Sequence, residues 1–474
     1  MITQKKQKRN YLHKNQQKTN KGEKIMFKRI GLLLLAFSMM LQMAACGKGK
    51  VSSENSGSSG GIVVNETDIE SELNKKDYGG KTFKFMYWYT PNEYTKRKVA
   101  TFNKVFNANL QIETVSDAPS ALATAVASGT PYDVVAMHSC YYPSLILADV
   151  FEPIDGTYED IDLYDSSKPE SGGLSKEIID AFELDGKHYT VGSSKSVYCY
   201  NYYYNKKLFS EAGLEDPWEL SQKGEWTWDK LMEMGRSITD VSNDTQFFAL
   251  PGIYKWLTYN CINIIKANPA QKSFTENLGS EKVINAVKYY QNMGTTGNKD
   301  QVSIFTKTGQ SFYEGTTYSN MQVTDAYTQV AKEAARSTAF DKDVKNLGVA
   351  PMPAGPFNDT GLFPGHVPQG YAVGKGASDK SVAACYALFE SRLTDTDSGE
   401  AYQMPTDVRA VIEKNFAEKP FLSQQFGFQD SAGNNIQLIL DNQLGKKIME
   451  GADVASMLSS YRNVITRTIN DSIS

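Results

Sequence analysis

The chain has 474 residues, of which 41% are hydrophobic and 22% are charged. The length favours two compact units or one two-lobed unit, and the composition is typical of a globular protein, which excludes a disordered chain and a polytopic membrane protein. The net charge of −4 falls to about −13 without residues 1–45, which hold ten basic residues and one acidic residue. An acidic body argues against nucleic-acid binding, which requires a basic surface.

The first apolar segment, Ile30–Met43, is too short at about 14 residues to span a bilayer, where ~20 are needed. It follows the basic Phe27-Lys28-Arg29 and precedes small residues, which is the pattern of a signal peptide. Met43-Ala44-Ala45-Cys46 resembles the lipobox of bacterial lipoproteins, in which the cysteine is diacylated and becomes the first residue of the mature protein. We therefore predict lipidation at Cys46. The alternative is an ordinary secreted chain with a free cysteine at this position.

A polar stretch follows the lipobox. Gly47–Gly61 is rich in Ser and Gly, and fifteen such residues reach roughly 20 Å as a flexible coil. Residues 1–45 are assigned to the leader, with Met26 as the predicted start of translation, and residues 46–77 to the lipidated cysteine and its flexible tether. Globular structure is expected to begin near Tyr78.

Strand and helix patterns alternate at the start of the globular part. Alternating apolar residues predict a strand at Lys81–Trp88, and apolar residues at helical spacing predict a helix over Tyr94–Phe106. A second strand is predicted at Gln111–Val115, a helix at Ala118–Ser128 and a third strand at Tyr132–Met137. This order predicts a parallel α/β sheet, in which ligands bind beyond the carboxyl ends of the strands.

Three later helices have recognisable starts. Thr227 is the predicted N-cap of the first, with Asp229 in the first turn near the positive end of the helix dipole. The second is predicted over Ser280–Tyr290 and the third over Ser378–Leu393.

No known catalytic motif is found in a suitable setting. The pattern G-x-S-x-G occurs at 57–61, but it lies in the tether without a flanking strand and helix, so chance in a Gly/Ser-rich run explains it. The acidic run Asp155–Asp162 lacks the glycine and the terminal glutamate of a calcium loop, and we interpret it as a solvated turn. The many carboxylates leave a glycosidase pair open on composition alone.

Four cysteines follow Cys46, at positions 140, 199, 261 and 385, and none forms a C-x-x-C pair. This spacing gives no zinc or redox signature, so we predict no metal and no cofactor. Disulfides and buried free thiols are both compatible with it.

Five segments occur in a characteristic order, namely Ala127–Val135, Leu147–Asp155, Tyr204–Leu214, Trp226–Asp229 and Gly370–Ala377. Together they resemble the extracellular solute-binding proteins of family 1, the carbohydrate receptors of ABC importers, to which maltose-binding protein is related. The resemblance extends from about Lys81 into the 390s. It is specific for the family but not for a substrate.

The resemblance implies a two-lobed α/β fold of the type II periplasmic-binding-protein class, with a ligand cleft between lobes that hinge crossovers join. The first lobe is expected to contain residues 78–198 plus about 362–410, and the second lobe residues 199–361 plus about 411–474. The crossovers are expected at Ser196–Asn205, near Gly361–Gly370 and near Met404–Val411.

The resemblance also implies where the ligand binds. Sugars need aromatic faces and planar polar partners. Trp88 and Tyr89 end the first strand and are expected at the cleft mouth, with core packing as the alternative. His138 and Ser139 follow the third strand, where family members contact ligand, with a structural loop histidine as the alternative.

In the second lobe, Trp256 resembles part of the aromatic wall of the family. Asp325 is the candidate for contacts with sugar hydroxyls and Tyr327 the candidate for stacking. Gln369 and Tyr371 lie where the chain returns to the first lobe. The alternatives are core packing for Trp256 and Tyr327, a solvated carboxylate for Asp325, and hinge packing for the last two.

The resemblance therefore predicts a monomeric, extracytoplasmic receptor, held at the cell membrane by lipid, that captures a sugar or oligosaccharide and delivers it to the permease subunits of an ABC transporter. One alternative keeps the fold but changes the cargo to a peptide, a polyol or an acidic sugar. Another is a surface glycosidase on the same anchor, for which a pair of cleft carboxylates and turnover of glycosides would be expected.

Overall fold

The computed structural model describes residues 62–64, 76–155, 174–192, 199–238, 247–249, 251–295, 302–303, 309–323, 326–365, 368–395, 404–418, 420–423 and 426–473. The predicted leader, Cys46 and Asp325 lie outside these stretches. Within them, no helix combines the length and the apolar character needed to cross a membrane.

The described strands are short and are numbered in chain order. They are β1 Ile62–Val64, β2 Thr82–Tyr87, β3 Asn109–Thr114, β4 Val134–His138, β5 Phe151–Glu152, β6 Glu183–Leu184, β7 Lys187–His188, β8 Thr190–Val191, β9 Tyr200–Asn205, β10 Phe248–Ala249, β11 Ile265–Asn268, β12 Ser273–Glu276, β13 Val302–Ser303, β14 Ser319–Val323, β15 Leu347–Pro351, β16 Phe363–Gly365, β17 Gln369–Gly374, β18 Leu393–Asp395 and β19 Pro420–Leu422.

The described α-helices are numbered in the same way. They are α1 Glu93–Val105, α2 Ala118–Ser128, α3 Ser144–Leu147, α4 Lys176–Ala181, α5 Lys206–Glu211, α6 Pro217–Lys223, α7 Trp228–Ile238, α8 Ile253–Tyr259, α9 Glu281–Thr295, α10 Gly309–Glu314, α11 Tyr327–Ala334, α12 Ser381–Arg392, α13 Thr406–Glu418, α14 Ile436–Leu438, α15 Lys446–Met449 and α16 Val454–Ile473. A π-helical segment, Ile439–Gly445, joins α14 to α15.

The larger sheet, here called the first-lobe sheet, has the order β3-β2-β4-β17-β5, and β8 also pairs with β17. β2 runs parallel to β3 and β4, as the alternating sequence pattern predicts. The elements β2, α1, β3, α2 and β4 lie within two residues of their predicted bounds. The structure differs from an all-parallel sheet in one respect, because β17 runs antiparallel to β4, β5 and β8.

A smaller sheet, here called the second-lobe sheet, has β9 at its centre, with β14 and β15 antiparallel on either side. Alternate residues of a strand point to opposite faces. Tyr202 and Tyr204 accordingly join one apolar cluster, whereas Tyr203 joins another on the opposite face. All three tyrosines are fully buried. This central strand therefore supplies apolar core to both faces of its sheet.

The three later helices predicted from the sequence are present, but the second and third differ from their predicted first and last residues. Lys230 N donates to Thr227 Oγ1 over 3.2 Å, which confirms the predicted cap of α7. α9 runs past Tyr290 to Thr295. α12 begins at Ser381 and not at Ser378, because the Asp379 carboxylate accepts a hydrogen bond from Ser381 N over 2.9 Å and forms the entry turn.

Segments at the expected first and second crossovers lie side by side. Cys199 forms an antiparallel bridge with Gly365, and β16 runs parallel to β19. The described cysteines after Cys46 are free thiols. Near the expected third crossover, Met404 and Val408 pack in the same apolar cluster as Tyr203. They therefore lie with the second-lobe sheet.

The predicted tether contains one ordered strand. Ile62–Val64 forms β1, which pairs antiparallel with β18, with Val63 opposite Thr394. The structure thus differs from a uniformly flexible tether. The physical reason is that three consecutive β-branched residues favour an extended conformation, unlike the Gly/Ser run before them.

Gly348 offers a test of packing in the second-lobe sheet. A Cβ atom at this position would lie 2.2 Å from Cζ of Tyr204, whose hydroxyl donates to Asp216 over 2.6 Å. We expect Gly348→Ala to lower the free energy of unfolding by about 1–3 kcal/mol, because the buried ring has to move. Urea titrations measure this loss. In a Tyr204→Leu background the same substitution should cost much less, and an equal loss in both backgrounds would contradict the explanation.

Candidate functional site

Aromatic side chains gather at one edge of the first-lobe sheet, where β2 and β4 end. Trp88 and Tyr89 directly follow β2, and His138 is the last residue of β4. The ring centroids of Trp88 and Tyr89 are 4.6 Å apart, and those of Trp88 and His138 are 5.6 Å apart, with both pairs edge to face. We call these three residues the aromatic rim. Its ring faces and edges can contact the apolar faces of a small solute.

Gln369 joins the aromatic rim from much later in the chain. Because β17 runs antiparallel to β4, its first residue lies at the edge where β4 ends, and Gln369 is paired with His138. Its side chain is half-buried. The structure thus brings together four of the predicted site residues, and the amide adds a planar donor and acceptor to the three rings.

The imidazole of His138 is oriented by the backbone. Cys140 N donates to Nδ1 of His138 over 3.1 Å, so Nδ1 acts as a hydrogen-bond acceptor. Ser139 is buried within the short turn Ser139–Tyr141. Burial raises the pKa of the Cys140 thiol to about 12, which leaves it protonated and unreactive. Of this loop, His138 is therefore the side chain best placed to offer a polar group.

Two predicted site residues lie in the protein core. Trp256 is fully buried, its ring stacks on that of Tyr289 at 5.6 Å, and its indole N–H donates to Ala286 O over 2.7 Å. Tyr371 is buried, and its hydroxyl donates to Glu390 over 2.9 Å. In this conformation neither ring presents a free face to a ligand. Trp256 packs in the core, and Tyr371 packs in the apolar core of the first lobe rather than in a hinge.

The second-lobe candidates are placed only in part. Tyr327 is the first residue of α11 and is 6% exposed, with its ring centroid 6.3 Å from that of Tyr203. Burial raises the pKa of its hydroxyl. Asp325 lies outside the described residues, as does the predicted lipidation site Cys46.

A small cavity in the second lobe was missed by the sequence reasoning. Hydroxyls from α8 and from the segment after β19 meet there: Ser423 Oγ lies 3.0 Å from Tyr254 Oη and 3.0 Å from Thr258 Oγ1. The lining residues are Tyr254, Thr258, Ile262, Asn263, Ile264, Ile265, Ser423, Phe426, Ile436 and Gln437. Tyr254 and Thr258 are four residues apart and therefore lie on one helix face, which could have been predicted from the sequence. No local sequence pattern indicates that Ser423 lies beside them.

A half-buried aspartate lies beside this cavity. Asp441, in the π-helical segment, accepts a hydrogen bond from Tyr254 N over 2.9 Å. Gly252 packs against it so closely that a Cβ there would lie 2.4 Å from the carboxyl group. Burial raises the pKa of Asp441 to about 6, although its hydrogen bonds with Tyr254 and Gln437 and the charge of Lys255 lower it.

The part of the chain that the structure describes contains no set of side chains arranged to coordinate a metal ion. No group of three or more His, Cys, Asp or Glu side chains there is arranged to hold a metal ion. The polar groups at the aromatic rim and Gln369 are an imidazole, a phenol hydroxyl, an indole N–H and an amide, which suit hydrogen bonding to a neutral solute.

Comparison with known proteins identifies the family. The family model described as bacterial extracellular solute-binding protein matches residues 89–385. The chain belongs to this family. Bacterial extracellular solute-binding proteins are not enzymes, and neither is this chain, so the surface glycosidase alternative is wrong.

A protein of Brucella abortus (strain 2308) that is named as a binding protein is 22% identical over 302 residues, which is 62% of this chain. The chain spans 66% of the length of that relative.

Two solved structures are similar in fold. The Listeria monocytogenes ABC substrate-binding protein in complex with cycloalternan has 17% identity and a TM-score of 0.58, with 82% of this chain and 99% of that chain covered.

The second structure is an ABC transporter solute-binding protein of Agrobacterium radiobacter K84 in complex with ribitol. It has 16% identity and a TM-score of 0.55, with 83% of this chain and 100% of that chain covered. This solute-binding protein therefore has the two-lobed type II periplasmic-binding-protein fold, with the cleft between lobes that hinge crossovers join. The fold is that of sugar-binding substrate-binding proteins of ABC transporters.

The raised pKa of Asp441 predicts a specific pH dependence of stability. The folded state holds the Asp441 proton more tightly than the unfolded state, so its contribution is present below the unfolded pKa of 3.8 and is lost as the pH rises through about 6. We expect Asp441→Asn to gain stability relative to the wild type between pH 4 and pH 7, by up to about 3 kcal/mol. Urea titrations across this range measure the difference.

Asp430 provides a matched control of opposite sign. Its hydrogen bonds with Asn434 and Ala432 outweigh the effect of burial and lower its pKa, so its contribution is present at neutral pH and is lost on acidification. Asp430→Asn should therefore lose stability relative to the wild type as the pH rises. A constant difference between Asp441→Asn and the wild type at all pH values would contradict the assignment.

Proposed function

We propose that this chain is the lipid-anchored, extracytoplasmic substrate-binding component of an ABC importer, and that it captures a sugar or oligosaccharide by lobe closure and delivers it to the permease. The observation that carries the proposal is the aromatic rim beside Gln369 at the carboxyl ends of β2 and β4. In parallel α/β sheets this edge is where ligands bind.

The chemistry of the rim suits a sugar. The C–H faces of a pyranose ring pack on aromatic rings, and its hydroxyls need donors and acceptors in fixed positions. Trp88 and Tyr89 offer the rings, while the side-chain amide of Gln369 offers a donor and an acceptor. The cycloalternan held by the similar Listeria protein is a carbohydrate, which supports this class of ligand.

The second wall of the proposed site is contributed by the second lobe. We assign Asp325 to the contacts with sugar hydroxyls, because the segment Asn320–Tyr327 resembles the stretch that leads to the sugar platform in family members. Ser139, Trp256, Tyr327 and Tyr371 then support the site from the core and do not touch the ligand themselves.

The hinge is assigned to the paired connections between the lobes. The bridge between Cys199 and Gly365 and the pairing of β16 with β19 tie these segments together, so that a few residues on either side can absorb the closing motion. Closure would bury the ligand, and the closed form would be the one that the permease recognises.

A second candidate cargo is a polyol, because the similar Agrobacterium protein holds ribitol. A polyol offers hydroxyls but no rigid ring face. Stacking on Trp88 would then contribute little, whereas the hydrogen bonds of Gln369 and His138 would dominate. This difference separates the two cargo classes experimentally.

The ligand is tested by calorimetric and thermal-shift titration of the chain lacking residues 1–46 with maltose, cycloalternan, ribitol and a peptide mixture. We expect a carbohydrate to bind and to raise the melting temperature. Trp88→Ala should weaken carbohydrate binding about tenfold, because a stacking face is lost. Val464→Ala, at an exposed apolar residue of α16, is the control and should not change the affinity. Stabilisation by peptides alone would rule out the carbohydrate assignment.

The lipid anchor is tested by metabolic labelling of the whole chain with an alkynyl palmitate in a bacterial host. We expect label on the wild type and on Cys140→Ser but none on Cys46→Ser, because Cys46 is the predicted attachment point. Label that persists in Cys46→Ser would contradict the anchor while leaving the ligand assignment open to its own test.

A further inference from the structure

The most exposed ring of the aromatic rim has a buried partner. Tyr89 is 41% exposed, whereas Tyr87, two residues earlier at the end of β2, is 8% exposed. The two hydroxyl oxygens are 2.8 Å apart and the ring centroids are 4.6 Å apart. The side chains at i and i+2 of an extended segment lie on the same side, which explains how a buried tyrosine can reach an exposed one.

Helix α1 supplies a third hydroxyl to this pair. Thr95, which is 3% exposed, lies in the first turn of α1 and hydrogen-bonds to Tyr87. The first turn of α1 is itself fixed by its N-cap residue, because Asn92 Oδ1 accepts a hydrogen bond from Thr95 N over 2.8 Å. The hydroxyls of Thr95, Tyr87 and Tyr89 therefore form a chain that runs from the core to the cleft edge.

The direction of this chain follows from burial: Tyr87 is 8% exposed, so its O–H has to donate to a neighbouring oxygen, and Tyr89 Oη lies 2.8 Å away, whereas the O–H of the 41% exposed Tyr89 can donate outward. Burial raises the pKa of Tyr87 far above its ordinary value, and the neighbouring hydroxyl of Tyr89 and the carboxylate of Glu390 raise it further. The hydrogen bond with Thr95 lowers it, as expected when the phenol oxygen accepts. Tyr87 thus accepts from Thr95, remains protonated, and has its own O–H to donate to Tyr89.

We propose that Tyr87 is a positioning residue that donates to the hydroxyl oxygen of Tyr89 and so directs the Tyr89 O–H into the cleft as a hydrogen-bond donor. Because Tyr89 is 41% exposed, its O–H can then point away from Tyr87 and out of the protein. Its partner is then an acceptor oxygen of the ligand, such as a ring, glycosidic or hydroxyl oxygen. This inference rests on the proposed function, because it concerns the same binding edge.

The reverse direction has a different consequence for ligand choice. If Tyr89 donated to Tyr87, Tyr89 would offer the ligand only a lone pair, and its partner would have to be a donor. The proposed direction makes the site prefer an acceptor oxygen at this point. Tyr89 is therefore the residue at which this lobe discriminates between an oxygen acceptor and a purely donating group such as an ammonium.

The positioning role is tested first without ligand, by NMR of the chain carrying tyrosine labelled with carbon-13 at Cζ. Tyr89→Phe assigns the Tyr89 signal. We expect Tyr87→Phe to shift this signal, because the phenol oxygen of Tyr89 loses the bond that it accepts. The matched control is Tyr78→Phe, which removes another buried tyrosine hydroxyl of the same lobe, 3.1 Å from Ser381 Oγ. It should leave the Tyr89 signal unchanged.

The effect on binding is measured with maltose as the probe. Tyr87→Phe and Tyr89→Phe should each weaken binding about 3–10-fold, the worth of one hydrogen bond. The double variant should bind no more weakly than Tyr89→Phe alone, because Tyr87 acts through Tyr89. Tyr78→Phe should bind like the wild type.

Two results would overturn the inference: a Tyr89 signal that does not respond to Tyr87→Phe, or losses of affinity that add in the double variant. Failure of the wild type to bind maltose would count against the proposed carbohydrate ligand instead. In that case the NMR experiment alone decides on the positioning role, so that the two failures remain distinguishable.

Discussion

The pairing of β17 with β4 is the contact on which both the first lobe and its binding edge depend. The chain leaves the first-lobe sheet after β8, builds the second-lobe sheet, and returns as β17 between β4 and β5. The return fixes the register of Gln369 against His138, and it also obliges the chain to cross between the lobes more than once. The proposed site and the proposed hinge would thus be two results of one long-range strand pairing.

This pairing leaves no room for side chains at two positions of β17. A Cβ at Gly370 would lie 2.4 Å from Val191 O, and a Cβ at Gly374 would lie 2.5 Å from Tyr132 O. Both contacts are with backbone, which cannot swing aside as a flexible side chain can. The glycines that frame this segment are therefore required by the close approach of neighbouring chain segments, and the resemblance that rests on them has a physical cause.

Local sequence patterns were enough to predict the strands and helices that carry the proposed site. They were not enough to predict which of its side chains are exposed. The bounds of α2 follow from the Asp117 cap and the left-handed Gly129, which are readable in the sequence. Trp88 and Trp256 look alike in sequence, and only the packing of Trp256 against Trp228 and Tyr289 separates a core ring from a rim ring. The pairing of Tyr87 with Tyr89 and the π-helical setting of Asp441 likewise depend on tertiary contacts that no local pattern encodes.

The short strand β1 determines where the N-terminal segment joins the folded body. Its three residues pair with β18, which directly follows helix α12. At Ile62 the chain therefore enters the folded body beside α12, whose residues pack in the same apolar core as the first-lobe sheet. The folded body is thus attached to its N-terminal segment through the first lobe.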